Sequence, residues 1–204
     1  MRRILAGFIL ALCLSAGTLA APTPPPDYFP LAEGYWWKYR STTSDNKTSE
    51  FTVKVLKWDR QSGLYQVETT TSWQTIHDWY SKPQGWVLMH RQAYPKNNME
   101  SNFDPVRQWL QNPLARGATW SWKGTGMMGV DIEETSTVSG PETVEVPAGK
   151  FSAMRVDTQM KQGGQEVKKT YWYANWVGMV KSMTESGNVK STTVLLDYSF
   201  KDKS

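Results

Sequence analysis

Few residues of this 204-residue chain have the type and spacing that catalysis or metal binding requires. His77 and His90 are its two histidines, and neither occurs in a zinc-binding spacing such as HxxxH or HExxH. His77 and Asp78 could form half of a proton relay, but no nucleophile in a recognisable motif completes a triad. The one cysteine, Cys13, lies in the N-terminal apolar run. We therefore predict no catalytic residue, no metal site and no cofactor.

Two further polar patterns point to surface structure rather than to chemistry. Asp131 and Glu133 share a strand face, and paired carboxylates hydrolyse glycosides only when they lie across a cleft. GTGMMG at 124–129 is Gly-rich but matches neither a phosphate-binding loop nor a dinucleotide fingerprint. We interpret the first as a solvated face and the second as a turn, so the sequence favours a protein that is not an enzyme.

Aromatic residues are the chemistry that remains, with 11 Trp, 9 Tyr and 6 Phe. Either these rings fill a sheet interior, each burying roughly 150–250 Å², or some of them line a groove for a lipid, glycan or peptide. In KKTYWYANWVG, residues 168–178, alternation places Tyr171 and Tyr173 on one face and Trp172 and Trp176 on the other. Both faces of this strand are therefore apolar and need cover. We predict that the ligand-contacting residues are Trp36, Trp79, Tyr80, Trp172, Tyr173 and Trp176.

The elements that must position these rings are β-strands. Apolar and polar residues alternate over 51–56, 65–71 and 194–200, which is typical of half-buried antiparallel strands. The VPAG sequence at 146–149 predicts a tight hairpin. Gly-containing turns separate other strand-like runs at hairpin spacing, at 60–63, 82–85, 162–165 and 185–188.

Two segments of the chain resemble each other. PLAEGYWWKY at 30–39 and PLARGATWSW at 113–122 share five of ten residues without a gap. Each precedes a run of strands, which predicts an internal repeat with halves at about 28–103 and 111–200. In the first copy, alternation turns Trp36 away from the face that carries Trp37.

A short helix is predicted between the two halves. Asp104 fits an N-cap and Pro105 the first helical position, so we predict a helix over 105–111 that Pro113 ends. The fold class expected is all-β, a strongly curved antiparallel sheet or partly open barrel built from two similar halves, with this one short helix between them.

The first 20 residues have the order of a secretory signal peptide. Two arginines precede an apolar run over 4–14, and small residues follow around Ala20. The run is too short to span a bilayer as a helix. We predict removal of residues 1–20, no transmembrane segment afterwards, and a soluble protein in the periplasm or outside the cell.

The remaining chain is predicted to be a Pro-rich leader at 21–27 followed by a single β domain at 28–204. Lipidation at Cys13 is disfavoured because Leu12, not a small residue, precedes it within the apolar run. Loss of the two N-terminal arginines lowers the formal net charge from +4 to +2, and no basic tract remains. This excludes an electrostatic argument for nucleic acid or for an anionic membrane surface.

Three segments carry a resemblance to a known group of proteins. YFPLAEGYWWKYR at 28–40, VEVPAGKFSAMRV at 144–156 and YWYANWVGMVK at 171–181 are similar to signatures of TapB-like bacterial exported domains of unknown function. The group resembles lipoprotein-carrier folds, in which a curved antiparallel sheet encloses an apolar interior. The resemblance implies a role in the cell envelope and an apolar ligand, and it implies no catalytic residue.

We therefore expect a binding domain for a lipid-like or other apolar small molecule, or for an envelope protein. Two alternatives stay open. One is a carbohydrate-binding module that uses Trp36 and Trp176 as stacking platforms. The other is an envelope assembly or scaffold protein that uses an unpaired sheet edge.

Overall fold

The computed structural model describes residues 24–201, and the predicted signal peptide lies outside these residues. The described chain forms twelve antiparallel strands and two single 3₁₀ turns, at Pro95–Asn97 and Met127–Gly129. The strands are β1 (Trp36–Thr43), β2 (Thr48–Asp59), β3 (Leu64–Thr70), β4 (Thr75–Ser81), β5 (Gly85–Tyr94), β6 (Met99–Asn112), β7 (Thr119–Thr125), β8 (Asp131–Val146), β9 (Gly149–Gln162), β10 (Gln165–Ala174), β11 (Gly178–Ser186) and β12 (Val189–Tyr198).

These strands form a closed barrel in which each strand pairs with its neighbours in sequence. The barrel closes where β1 pairs with β12, with Trp37 opposite Tyr198 and Thr43 opposite Ser191. The all-β prediction is confirmed. The partly open alternative is wrong, because the β1–β12 pairing joins what would otherwise be the two edge strands.

The predicted helix over 105–111 is wrong, because these residues lie within β6. Leu110 pairs with Val87 of β5, and Arg107 pairs with Met89. Pro105 does not begin a helix here but lies in a strand, on the side where pairing with β7 is sparse. A proline without an N–H group is compatible with that position.

The two resembling segments have the same local geometry. Gly34 and Gly117 both have positive φ, +82° and +81°. Gly34 donates its backbone N–H to Val55 O, and Gly117 donates to Val138 O. Each segment contains the start of a run of six strands, β1–β6 and β7–β12, while the wider repeat stays a prediction.

Strand alternation separates the interior of the barrel from its outer face. Trp37 and Tyr39 are buried inside, whereas Lys38 and Arg40 are exposed, as the entry sequence predicts. In β8 the same alternation buries Ile132, Glu134, Ser136 and Val138. The inner wall thus contains polar as well as apolar side chains.

Two elements cover the end of the barrel where β1 begins. Residues 27–31, the N-terminal strap, cross this end, and Phe29 packs against Tyr80 with ring centroids 5.2 Å apart. The tip of the β8–β9 hairpin contacts β11 and β12, and Ala148 N donates to Leu195 O. The Pro147–Ala148 turn confirms the predicted tight hairpin.

Candidate ligand-binding cavity

A cavity of about 230 Å³ lies inside the barrel beneath the N-terminal strap. Its wall is mainly aromatic and aliphatic. The aromatic side chains are Phe29, Trp37, Tyr39, Tyr80, Trp109 and Tyr173. The aliphatic ones include Pro30, Leu31, Val53, Val67 and Met179.

Asp78 places the one carboxyl group in this wall. It lies on β4 opposite Val67 of β3, and its side chain is almost fully buried. Gln92 Nε2 donates to Asp78 Oδ1 at 2.9 Å, and no described residue donates to Oδ2. Burial raises the pKa of Asp78 to about 6, although Gln92 and the more distant Arg107 lower it in part.

Three further polar groups on cavity-lining side chains have no hydrogen-bond partner among residues 24–201. Tyr80 and Tyr173 are buried, and their hydroxyls make no hydrogen bond to a described residue. Burial raises the pKa of both tyrosines well above the usual value, so both stay protonated. Trp109 Nε1 is also buried and unpartnered. Buried polar groups usually find a partner, so the unpartnered Trp109 Nε1 favours a polar ligand atom or ordered water.

A buried ion pair borders the cavity on the β6 side. Arg107 Nε and Nη2 donate to the two carboxylate oxygens of Glu134 at 2.8 and 2.6 Å. The Arg107 guanidinium also lies 4.7 Å from the centroid of the Trp109 ring. Because Arg107 donates to both carboxylate oxygens of Glu134, its charge is compensated by Glu134 rather than by Asp78.

The N-terminal strap forms part of the cavity wall, and Asp27 holds it. Asp27 Oδ1 accepts from Asn112 Nδ2 at 2.8 Å, and Oδ2 pairs with Lys82 Nζ. Lys82 Nζ also donates to Phe29 O at 2.8 Å. The Asp27 backbone accepts from Trp176 N and donates to Asn175 Oδ1. Phe29, Pro30 and Leu31 are thereby held over the cavity.

Of the six predicted ligand-contacting residues, Tyr80 and Tyr173 line this cavity. Trp36 and Trp79 are half-buried on other surfaces, and Trp79 stacks under the Arg91 guanidinium at 3.6 Å. Trp176 is exposed in the β10–β11 turn, where its φ is +57°. The predicted set therefore divides between the interior and the outside of the barrel.

Trp172 explains why β10 has two apolar faces. Tyr173 points into the cavity, and Trp172 lies under the β8–β9 hairpin, where its Nε1 donates to Glu142 Oε2 at 2.7 Å. Lys181 Nζ lies 4.9 Å from its ring centroid. Protein covers the outer ring of this strand, and the cavity adjoins the inner one.

Sequence reasoning missed Asp78, Trp109 and Phe29 as wall residues. Alternation within β4 does place Asp78 on the face of Tyr80, so that signal was available. Nothing local shows that this face is the inner one, because the direction depends on how distant strands close the barrel. Phe29 precedes the first strand, where no periodicity applies.

The histidines lie in β4 and β5 and contact other side chains. His77 Nε2 is 3.0 Å from Glu68 Oε2, and His90 Nε2 is 2.8 Å from Ser81 Oγ. Within residues 24–201 no three His, Cys, Asp or Glu side chains are grouped as metal ligands. No helix of the described chain is long and apolar enough to cross a membrane.

A second concavity of about 520 Å³ runs along β7–β10 and is more polar. Lys123, Glu133, Lys161, Glu166 and Lys168 contribute charged side chains to it. Lys123 and Glu133 form an exposed ion pair there. Exposed pairs of this kind are typical of a solvated surface, so the interior cavity is the better candidate site.

Residues 88–195 match the family model described as DUF3108-like, which is more than half of the chain. The matched range includes the VEVPAGKFSAMRV and YWYANWVGMVK segments, and the narrower TapB-like grouping stays a prediction. No curated protein sequence matches the chain.

Two solved structures have a similar fold. One is a Bacteroides fragilis protein described as exported, with a YmcC-like fold; it is 17% identical, has a TM-score of 0.58, and the alignment covers 85% of this chain and 99% of that one. The other is a Parabacteroides distasonis protein described as a lipoprotein, with 16% identity, a TM-score of 0.50, and coverage of 87% and 100%.

Proposed function

The chain belongs to the DUF3108-like family, and we propose that it binds a small apolar molecule inside its barrel. The observation that carries this proposal is the interior cavity with its aromatic wall and unpartnered polar groups. The ligand lies between the N-terminal strap and the inner faces of β1–β4, β6, β10 and β11. The protein acts by binding rather than by catalysis.

The size and chemistry of the cavity support this function. An apolar cavity of about 150 Å³ accommodates benzene, so 230 Å³ is enough for a larger aromatic or short aliphatic body. Apolar pockets with a few placed polar groups are the usual form of small-molecule sites. The positions of the histidines support binding rather than catalysis, because both contact neighbouring side chains and neither lines the cavity.

We further propose that binding takes place outside the cytoplasm, in the periplasm or beyond the cell. The sequence of residues 1–20 supports export, and structural relatives are described as an exported protein and a lipoprotein. An exported barrel with an internal cavity suits the carriage or storage of a poorly soluble molecule.

Native mass spectrometry and a cavity-filling variant test this function. Gently purified protein is expected to carry bound mass, and stripped protein is expected to bind toluene, followed by NMR shifts of the cavity aromatics. Val53→Phe places a ring in the cavity and is expected to abolish toluene binding. Met179→Phe fills it from another strand, in case Val53→Phe does not fold.

Val189→Phe is the matched control, because Val189 is exposed at the start of β12. It adds the same ring outside the barrel and is expected to leave toluene binding unchanged. An interior apolar site would be excluded if the wild-type protein did not bind toluene. It would also be excluded if both cavity-filling variants bound toluene as tightly as the wild-type protein.

A further inference from the structure

Resting on that proposed function, we infer that the ligand is a small apolar amine whose ammonium group pairs with Asp78 in the barrel cavity. The cavity wall combines one carboxylate with a free acceptor oxygen and six aromatic rings. That combination is complementary to an organic cation with an apolar body.

The first step is the free valence of the carboxylate. Asp78 is almost fully buried, and Gln92 supplies one hydrogen bond to Oδ1. Oδ2 accepts none from the described residues. An ionised carboxylate accepts several hydrogen bonds, and burial with one neutral donor leaves its charge poorly stabilised. An ammonium N–H supplies the missing donor.

The second step is the charge balance of the inner wall. The charged or titratable neighbours of Asp78 are Arg107 on β6, His77 and Tyr80 on β4, and Tyr94 on β5. Arg107 is engaged by both oxygens of Glu134 at 2.8 and 2.6 Å, and His77 is paired with Glu68. Asp78 therefore has no ion-pair partner of its own among residues 24–201, although Arg107 and His77 lower its pKa in part.

The third step is the surrounding rings. A cation above the face of Trp or Tyr is attracted by the ring quadrupole, and more strongly where water is excluded. The interior already uses this interaction, because the Arg107 guanidinium lies 4.7 Å from the Trp109 ring centroid. Tyr80 and Tyr173 add hydroxyl oxygens that can accept from an ammonium. A carboxylate ligand would instead be repelled by Asp78.

Three probes with one phenyl body test the head group: 2-phenylethylamine, 2-phenylethanol and phenylacetate. Calorimetric titration of wild-type protein at pH 7.5 is expected to show the amine bound at least about tenfold more tightly than the alcohol, because it gains a charge-assisted hydrogen bond. Phenylacetate is expected to bind most weakly. Asp78→Asn is expected to remove the preference for the amine over the alcohol.

The pH dependence gives a second readout. Because the pKa of Asp78 is about 6, most of this carboxyl is protonated at pH 5. Amine binding is expected to weaken about tenfold from pH 7.5 to pH 5, while alcohol binding stays constant. The control is Glu50→Gln, which alters a surface carboxylate paired with Lys38. It is expected to leave the affinities for the amine and for the alcohol unchanged.

The outcomes separate the two proposals. If wild-type protein binds none of the three probes and no toluene, the proposed function fails. If toluene or the alcohol binds but the amine has no advantage, or if the advantage persists in Asp78→Asn, the apolar site stands and the assignment of an amine ligand fails.

Discussion

Asp78 couples the chemistry of the cavity to the stability of the barrel. Burial raises its pKa from 3.8 to about 6, so the folded state binds more protons than the unfolded state between these values. Stability from this group is fully present below about pH 4 and is lost as the pH rises through 6. At neutral pH the buried Asp78 carboxyl is ionised, and it therefore destabilises the protein when no cationic ligand is bound.

Asp78→Asn is expected to stabilise the ligand-free protein at pH 8 and to have little effect at pH 4. Two pKa units correspond to about 3 kcal/mol in the free energy of unfolding, which is the upper size of the gain. Asparagine keeps the acceptor for Gln92 Nε2. Urea denaturation at both pH values measures the difference.

Asp59→Asn serves as the control for this prediction. Hydrogen bonds from Ser62 and from the Gln61 backbone lower the pKa of Asp59, which is fully exposed. Its substitution is expected to act in the opposite direction, with loss of stability at pH 8. If Asp78→Asn differed from the wild-type protein by the same free energy of unfolding at pH 4 and at pH 8, the raised pKa of Asp78 would be contradicted.

The residues of the cavity were only partly predictable from sequence. The excess of aromatic residues and the alternation around Tyr173 indicated rings on both faces of β10, and Tyr80 and Tyr173 do line the cavity. The sequence places Asp78 beside His77, an order that could form half of a proton relay. The strand places them on opposite faces, because neighbouring side chains of a strand point in opposite directions.

At the scale of elements, the N-terminal strap is a wall of the cavity that lies outside the sheet. Asp27→Ala removes the carboxylate that holds Lys82 and Asn112. We expect a loss of about 1–3 kcal/mol in the free energy of unfolding, since both contacts are hydrogen bonds to a charged group. Faster hydrogen exchange at residues 27–31 and stronger acrylamide quenching of tryptophan fluorescence would show that the strap is released.

The control for the strap is Asp45→Ala at the other end of the barrel. Asp45 accepts from Thr43 and pairs with Lys47, as a fully exposed carboxylate. It is expected to leave exchange over 27–31 and quenching unchanged. Unchanged exchange in Asp27→Ala would mean that the Asp27 carboxylate does not hold the strap, and that its other contacts to Lys82, Asn175 and Trp176 are sufficient.

The elements themselves were largely visible in the sequence, with one informative failure at β6. Asp104 and Pro105 have the residue types of a helix start, and Val106, Trp109 and Leu110 have helical spacing. Pairing along β5 outweighs this local preference, because it completes the ladder of a closed sheet. Short apolar runs do not distinguish helix from strand by periodicity alone.

At the scale of the whole molecule, closure was the feature that sequence could not determine. Alternation predicts strands, whereas the choice between an open sheet and a barrel depends on the pairing of β1 with β12, more than 140 residues apart. The similar segments at 30–39 and 113–122 did carry information, since each begins a run of six strands with the same glycine conformation.

Closure is uneven around the barrel, and β6 and β7 form its weakest seam. Their backbone pairing is limited to Asp104 opposite Thr125. Side chains span the rest: Trp122 Nε1 donates to Pro105 O and Val106 O at 3.2 Å. The Arg107–Glu134 ion pair also crosses this seam, from β6 to β8. Side-chain contacts therefore replace a hydrogen-bond ladder at this position.

Hydrogen exchange of the wild-type protein is expected to be faster in β6 and β7 than in the continuously paired β8 and β9, because amides without ladder partners open locally.

Arg107→Met is expected to cost about 3–5 kcal/mol in the free energy of unfolding by leaving Glu134 buried without its partner, and to increase exchange first at this seam. The double variant Arg107→Met/Glu134→Leu removes both charges and is expected to regain most of that loss. If the double variant is as unstable as the single one, or exchange rises equally in all strands, the ion pair does not close the seam.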